Sequence, residues 1–264
     1  MLDINGSVAV ITGGARGIGF SLAKTWMEKG GKVVIGDVLE DQLQEAEQEL
    51  KKIGQDVVTV TCNVTSEEDC AKLADTAIDS FGNINLVVPG AGIIKDGMMV
   101  SPDRETGKVT DKMSLEQFQS VINVNLTGVF LTIRECSERM INNGDKGLIC
   151  LISSTGSLGT AGQINYSSTK AAVSVMPKVI TGEFMRRGLG GQIRCVAIAP
   201  GYVATDILKN MNQKALEKIK SNIPIGRLIE PDEISSLACE LYKNEALAGE
   251  VYFISGGLRL GSKG

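Results

Sequence analysis

Short apolar runs rich in β-branched residues punctuate the chain: Val8–Ile11, Lys32–Ile35, Val57–Thr61, Leu86–Val88, Leu148–Ile152, Gln192–Ile198 and Val251–Ile254. They are apolar nearly throughout, which predicts strands buried on both faces of a parallel sheet. Between them lie longer stretches with helical periodicity. In Asp41–Ile53 a charged background carries Leu43, Ala46, Leu50 and Ile53 on one stripe, predicting a surface helix. Thr65 stands three residues before Glu68, and Ser114 three before Gln117; both read as capping boxes. In Glu230-Pro231-Asp232-Glu233 the proline falls at a first helical position, where its missing N–H costs nothing. Strands alternating with helices imply βαβ units and a doubly wound α/β sheet. No repeat, low-complexity tract or linker interrupts the pattern, so residues 1–264 read as one domain.

Composition narrows the function classes. With 43% hydrophobic and 22% charged residues, the 264-residue chain has the make-up of a soluble globular domain. A net charge of −4 and a pI near 5.1 exclude a broad nucleic-acid footprint, and the basic residues are scattered. The six cysteines form no Cys-x-x-Cys pair, and with no histidine in the chain no zinc site and no other metal site is expected. They read as buried reduced thiols, which places the protein in a reducing compartment, most simply the cytoplasm. The segment Met1–Gly6 has no signal-peptide pattern, and the apolar runs are too short to span a bilayer.

Two features carry chemistry. Strand Val8–Ile11 runs into Thr12-Gly13-Gly14-Ala15-Arg16-Gly17-Ile18-Gly19, with a helix expected from about Phe20. Glycines allow a tight turn and a close approach to a pyrophosphate, and the helix N-terminus adds free N–H donors. Asp37, after the second strand, is placed to bind the adenosine ribose hydroxyls and to repel a 2′-phosphate. Arg16 pulls toward NADP, but Asp37 is the more direct contact, so NAD is the expected cofactor. The second feature is Tyr166, four residues before Lys170 on one helix face, with Ser153 thirteen residues upstream. To act as a base near neutrality a tyrosine must drop from ~10 by ~3 units, or ~4 kcal/mol. One cation at ~4 Å in an effective dielectric of ~20 supplies ~4 kcal/mol. Lys170 is therefore expected to do most of the tuning.

The Thr12–Gly19 turn, Ala91-Gly92, Asn125, Ser153, Tyr166-x3-Lys170 and Pro200-Gly201 together resemble the classical short-chain dehydrogenase/reductase family over almost the whole chain. The resemblance implies a single Rossmann-type domain, a doubly wound parallel sheet of about seven strands flanked by helices, usually assembled as a homotetramer. It implies Tyr166 as general acid/base, Ser153 on the substrate oxygen, Lys170 on the nicotinamide ribose and Asn125 anchoring a water relay to Lys170. Implied cofactor-binding positions are Gly13, Arg16, Gly17, Ile18, Gly19, Asp37, Asn63, Val64, Ala91, Gly92, Tyr166, Lys170, Pro200, Gly201, Val203 and Thr205. The chain departs from the family at three places. Pro89-Gly90 replaces two asparagines after the fourth strand, which bears on cofactor affinity and local rigidity. Asn63 replaces an aspartate, leaving a carbonyl for the adenine amino group. Pro177 lies inside the Tyr166 helix, almost three turns beyond the tyrosine.

On the substrate side, Asp206–Arg227 carries Ile207, Leu208, Met211, Leu216 and Ile219 at helical spacings and corresponds to the family's mobile lid. Residues 97–112 form a longer connection than usual and are expected to border the substrate mouth. Met98, Met99 and Tyr202 suggest an apolar pocket, with core packing as the default. Val175, Val179 and Phe184 suit a subunit interface or a core equally. The expected activity is hydride transfer between NAD(H) and a small secondary alcohol or ketone. A 3-oxoacyl thioester reductase, more naturally using NADPH and helped by a basic patch at Arg134, Arg139, Arg186 and Arg187, is the alternative enzyme. A catalytically silent NAD-sensing module is the alternative from another class.

Overall fold

The computed structural model describes residues 1–205, 208 and 212–258. The apolar runs become the parallel strands β1 (Val8–Thr12), β2 (Lys32–Asp37), β3 (Val57–Thr61), β4 (Leu86–Pro89), β7 (Gly147–Ile152), β8 (Ile193–Pro200) and β9 (Val251–Ile254). They form one seven-stranded sheet in the order β3-β2-β1-β4-β7-β8-β9, a Rossmann-type arrangement. Strands β5 (Val100–Pro102) and β6 (Val109–Lys112) form a separate antiparallel hairpin within residues 97–112, which is a folded excursion and not an irregular loop.

Alternation along the strands explains the two cores. Ala9 and Ile11 of β1 face one layer; Val8 and Val10 face the other. The first layer holds α1 (Gly17–Glu28), α2 (Glu40–Lys51) and α8 (Pro231–Lys243), centred on an edge-to-face pair of Trp26 and Tyr242. The second holds α3 (Glu67–Phe81), α5 (Gly128–Asn143) and α6 (Ile164–Arg186). The helix α4 (Leu115–Ile122) continues through a π-helical turn (Asn123–Thr127) into α5, and α7 (Gln213–Ser221) lies beyond β8. The six cysteines are buried free thiols. None of the described helices is long and apolar enough to cross a membrane.

The helix-start signals hold in part. The cap of α3 is Ser66, which accepts from the Asp69 N–H, and not Thr65. Asn63 Oδ1 takes both the amide and the hydroxyl of Thr65 in a tight turn, which moves the cap one residue on. Ser114 caps α4, but the Gln117 side chain reaches Lys95 and Asp96 instead of closing a box. Glu230 and Glu233 do form a capping box around Pro231. Ile53 falls outside α2 and is exposed.

Candidate active site

The sheet order reverses between β1 and β4, and the crevice at the carboxyl ends of the strands opens there. The predicted site residues leave β1, β2, β4, β7 and β8 at that same edge, and the Tyr166 helix starts beside it.

After β1 the backbone is dictated by space. Gly13 has φ +68°, and a Cβ there would stand 2.8 Å from the Ala91 nitrogen. A Cβ on Gly19 would run into the Gly13 carbonyl oxygen, so the helix can sit this close only without one. Gly17 has φ +59° and lies against Thr205, which brings the segment after β8 to the turn. The α1 N-terminus has no side-chain cap and no acid in its first turn. Its free N–H groups and partial positive charge fit a pyrophosphate. Asp37 closes the other side: its carboxylate accepts from the Ala15 N–H at 3.3 Å and the Leu39 N–H at 3.2 Å. Arg16 is exposed and Ile18 half-buried.

At the proline-glycine departure the backbone after β4 is tied to the end of β1. Gly90 N–H donates to the Thr12 carbonyl at 3.1 Å, and Ala91 N–H reaches the Thr12 hydroxyl at 3.4 Å. Gly92 is exposed above them. The Asn63 side-chain oxygen accepts from both the amide and the hydroxyl of Thr65. Val64 is a buried packing residue against Gly128. After β8, Gly201 N–H bonds to Ile254 O, Val203 bridges to Ile229, and Thr205 is half-buried.

Around Tyr166 the expected trio is rearranged. Ser153 is buried, and its hydroxyl is spent on the Lys170 carbonyl at 2.9 Å and the Ser174 hydroxyl at 2.7 Å. It faces the α6 backbone, not the phenol. The neighbour, Ser154, interacts with the Tyr166 hydroxyl and accepts from the Gly156 N–H at 3.0 Å. Successive residues leaving a strand point to opposite sides, so one serine must be structural and the other open to the site. Lys170 also departs from expectation. Its ammonium donates to the Ile152 carbonyl at 2.8 Å and lies 5.6 Å from the centre of the Tyr166 ring. Burial lowers the Lys170 pKa to about 8, whereas burial pushes the Tyr166 phenol up; Ser154 pulls it down and Asp96 adds a smaller push upward. The ammonium that is to tune the phenol is thus itself buried and tied to the end of β7.

Asn125 is fully buried in the π-helical turn between α4 and α5. Its side chain accepts from the Ile93 N–H at 2.8 Å and donates to the Ile93 carbonyl at 2.9 Å. Each end of the amide is thus held by the Ile93 backbone.

A cavity of about 360 Å³ lies between Gly97–Met99 and the Gly159–Ser168 segment. Met98 and Met99 are exposed on its wall, so they are not core residues, and the 97–112 segment borders this space next to the Tyr166 helix. Leu208, Leu216 and Ile219 cover Ala204, Ile223 and Leu228. Ile207 and Met211 lie outside the described residues. Among the described residues no cluster of acidic or thiol ligands suits a metal.

The family profile described as short chain dehydrogenase matches residues 7–216. The chain belongs to this family. Over 259 residues the enzyme is 31% identical to a 3-oxoacyl-[acyl-carrier-protein] reductase of Thermotoga maritima, covering 97% of this chain and 99% of the relative. It is 33% identical over 258 residues to a 2,5-dichloro-2,5-cyclohexadiene-1,4-diol dehydrogenase of Sphingobium indicum, covering 97% of each. A 3-oxoacyl-[acyl-carrier-protein] reductase of Synechocystis is 32% identical over 262 residues, 98% of this chain and 99% of that one. The enzyme is accordingly a short-chain oxidoreductase.

Proposed function

We propose that this oxidoreductase transfers a hydride between NAD(H) and a small secondary alcohol or ketone, with Tyr166 as the proton-transfer group. The observation that carries the reading is an uncapped glycine turn closed by Asp37, standing at the same sheet edge as Tyr166 and Lys170. The turn at Gly13, Gly17 and Gly19 and the α1 N-terminus hold the pyrophosphate, and Asp37 holds the adenosine ribose. Arg16, Ile18, Asn63, Val64, Ala91, Gly92, Pro200, Gly201, Val203 and Thr205 border the cofactor, and Lys170 holds its second ribose. When bound, the nicotinamide supplies the hydride acceptor or donor. Ser154 orients the substrate oxygen, the role first expected of Ser153. Tyr166 gives that oxygen a proton in reduction and takes it back in oxidation. The raised phenol suits the donor role, and with the oxidised cofactor's positive charge added the ionised form becomes accessible.

Asp37 supports NAD over NADP, because its carboxylate faces the turn where a 2′-phosphate would sit. Exposed Phe130, Val175, Val179 and Met185 on α5 and α6 support a homo-oligomer; Phe184 instead packs into the core. The relatives' names favour a second reading, a 3-oxoacyl thioester reductase. Against it, Arg134 pairs with Glu67 and Glu135, and Arg139 with Asp75, Glu135 and Glu138, so neither is a free docking cation. The test is a panel of secondary alcohols, ketones and an acetoacetyl thioester, each with NAD(H) and NADP(H). Higher kcat/KM for an alcohol or ketone with NAD(H) is expected. Preference for NADP(H) and the thioester favours the second reading. Cofactor binding without turnover on any substrate leaves a sensor.

A further inference from the structure

After β4 the chain continues as a strap, residues 93–97, that reaches the wall of the cavity beside the Tyr166 helix. Residues 93–96 belong to no helix or strand, yet side-chain amides hold their backbone. Asn125, in the π-helical turn, bonds both the N–H and the carbonyl of Ile93. Gln117 of α4 donates through Nε2 to the Lys95 carbonyl at 3.0 Å and the Asp96 carbonyl at 3.1 Å. From α6, Asn165 Nδ2 donates to the same Lys95 carbonyl at 2.8 Å. Gly97 N–H then bonds to the Gly162 carbonyl at 2.8 Å, and Gly97, Met98 and Met99 line the cavity.

Asn165 is where this strap meets the phenol's helix. It is fully buried in the first turn of α6, and its Oδ1 accepts the Tyr166 N–H at 2.7 Å. That N–H is one of the donors a helix start leaves unpaired. The residue before the helix normally takes such a donor, but Gln163 makes no side-chain cap bond there. Its Nε2 donates to the Asp96 carboxylate at 2.8 Å instead. If capping were the whole task, aspartate would offer the same acceptor and suit the helix dipole better. What asparagine adds is the donor to Lys95, so that one amide joins the Tyr166 backbone to the strap.

We propose that Asn165 is a positioning residue: by bonding the Tyr166 N–H and the Lys95 carbonyl with one side chain, it sets the phenol's turn of α6 against the strap that leads into the cavity walled by Met98 and Met99. The inference rests on reading Tyr166 as the proton-transfer group. A misplacement of ~1 Å between reacting groups costs ~10²-fold in rate, so a residue acting through backbone atoms governs turnover.

Two variants test this. Asn165→Asp keeps the shape and the acceptor for Tyr166 N–H, but sets an oxygen against the Lys95 carbonyl. Gln117→Ala loosens the strap from the α4 side and leaves the start of α6 as it is. Turnover on the panel's best substrate is expressed per bound cofactor, so that unfolded protein does not count, with substrate KM, cofactor Kd and Tm measured beside it. Asn165→Asp is expected to lose ~10-fold or more in kcat with cofactor Kd retained. Gln117→Ala is expected to raise substrate KM several-fold with Tm near the parent's. An asparagine that only caps the helix predicts parental kcat per bound cofactor in Asn165→Asp, and that result overturns the proposal. If Asn165→Asp does not fold, Gln117→Ala decides, and parental KM and kcat there overturn it. Tyr166→Phe is assayed alongside: full activity removes the proton-transfer reading itself, whereas an inactive Tyr166→Phe beside a fully active Asn165→Asp removes only the role of Asn165.

Discussion

In the turn after β1, every constraint falls on the backbone. Gly13 and Gly19 are fixed by atoms that leave no room for a Cβ, and the α1 N-terminus needs only to be left uncapped. In the segment after β7, the constraint is the direction of side chains. Ser153 and Ser154 are adjacent and chemically identical, yet one is buried against α6 and the other meets the phenol. In the proposed function the first region would hold a cofactor by shape and dipole, and the second would handle a proton by placing single atoms. A backbone site fails when the chain cannot pack, and a side-chain site fails with the fold intact.

The largest effect is expected where the backbone is tightest. Gly19→Val sets a branched side chain against the Gly13 carbonyl; overpacking costs ~3 kcal/mol or more. Thermal unfolding should show a clear fall in Tm together with loss of cofactor binding. A stable variant that still binds cofactor would break the distinction between the two regions.

Lys170 gives a comparable effect with a pH signature. Its pKa is about 8 in the fold, against 10.5 for the free side chain, because burial disfavours the charge. Below pH 8 the lysine is protonated in both folded and unfolded chains, and the full penalty, on the order of 3 kcal/mol, is present. Between about 8 and 10.5 the unfolded chain binds more protons, so stability rises with pH and the penalty fades. Lys170→Met should therefore be more stable than the parent near neutrality while losing activity. The stability gap should narrow as pH climbs through that window, as read by denaturant unfolding at several pH values.

The serines sharpen the contrast next. Ser154→Ala should lower kcat by ~10²-fold with little change in Tm. Ser153→Ala should cost ~1 kcal/mol of stability through the lost hydrogen bonds, with a much smaller change in kcat. The reverse pattern would restore Ser153 to the site. Smallest is Asp37→Ala, expected to narrow the NAD-to-NADP ratio of kcat/KM by ~10-fold while total activity persists.

This contrast also governs what could be read from the sequence. The strands were legible because seven separate apolar runs can hardly fold otherwise, and their ends moved by only a residue or two, as where β2 extends to Asp37. Asp37, the glycine turn and Tyr166 with Lys170 were legible because their neighbours along the chain carry the signal. Ser154 was not, since spacing alone does not tell which of two adjacent serines faces the cleft; the alternation of side chains past Ile152 was the available clue. Gln117, Gln163 and Asn165 were missed because their partners lie far off in sequence, 70 residues in the case of Asn165 and Lys95. Lys170 was legible on its helix, but its carbonyl partner at Ile152 was not, because that partner belongs to another element.

The most direct measurement compares kcat/KM of the parent and Tyr166→Phe on the panel's best substrate, with cofactor affinity measured independently in both. A fall of ~10³-fold or more, with cofactor affinity and Tm retained, is the predicted result. Activity within a few-fold of the parent would contradict the assignment of proton transfer to Tyr166.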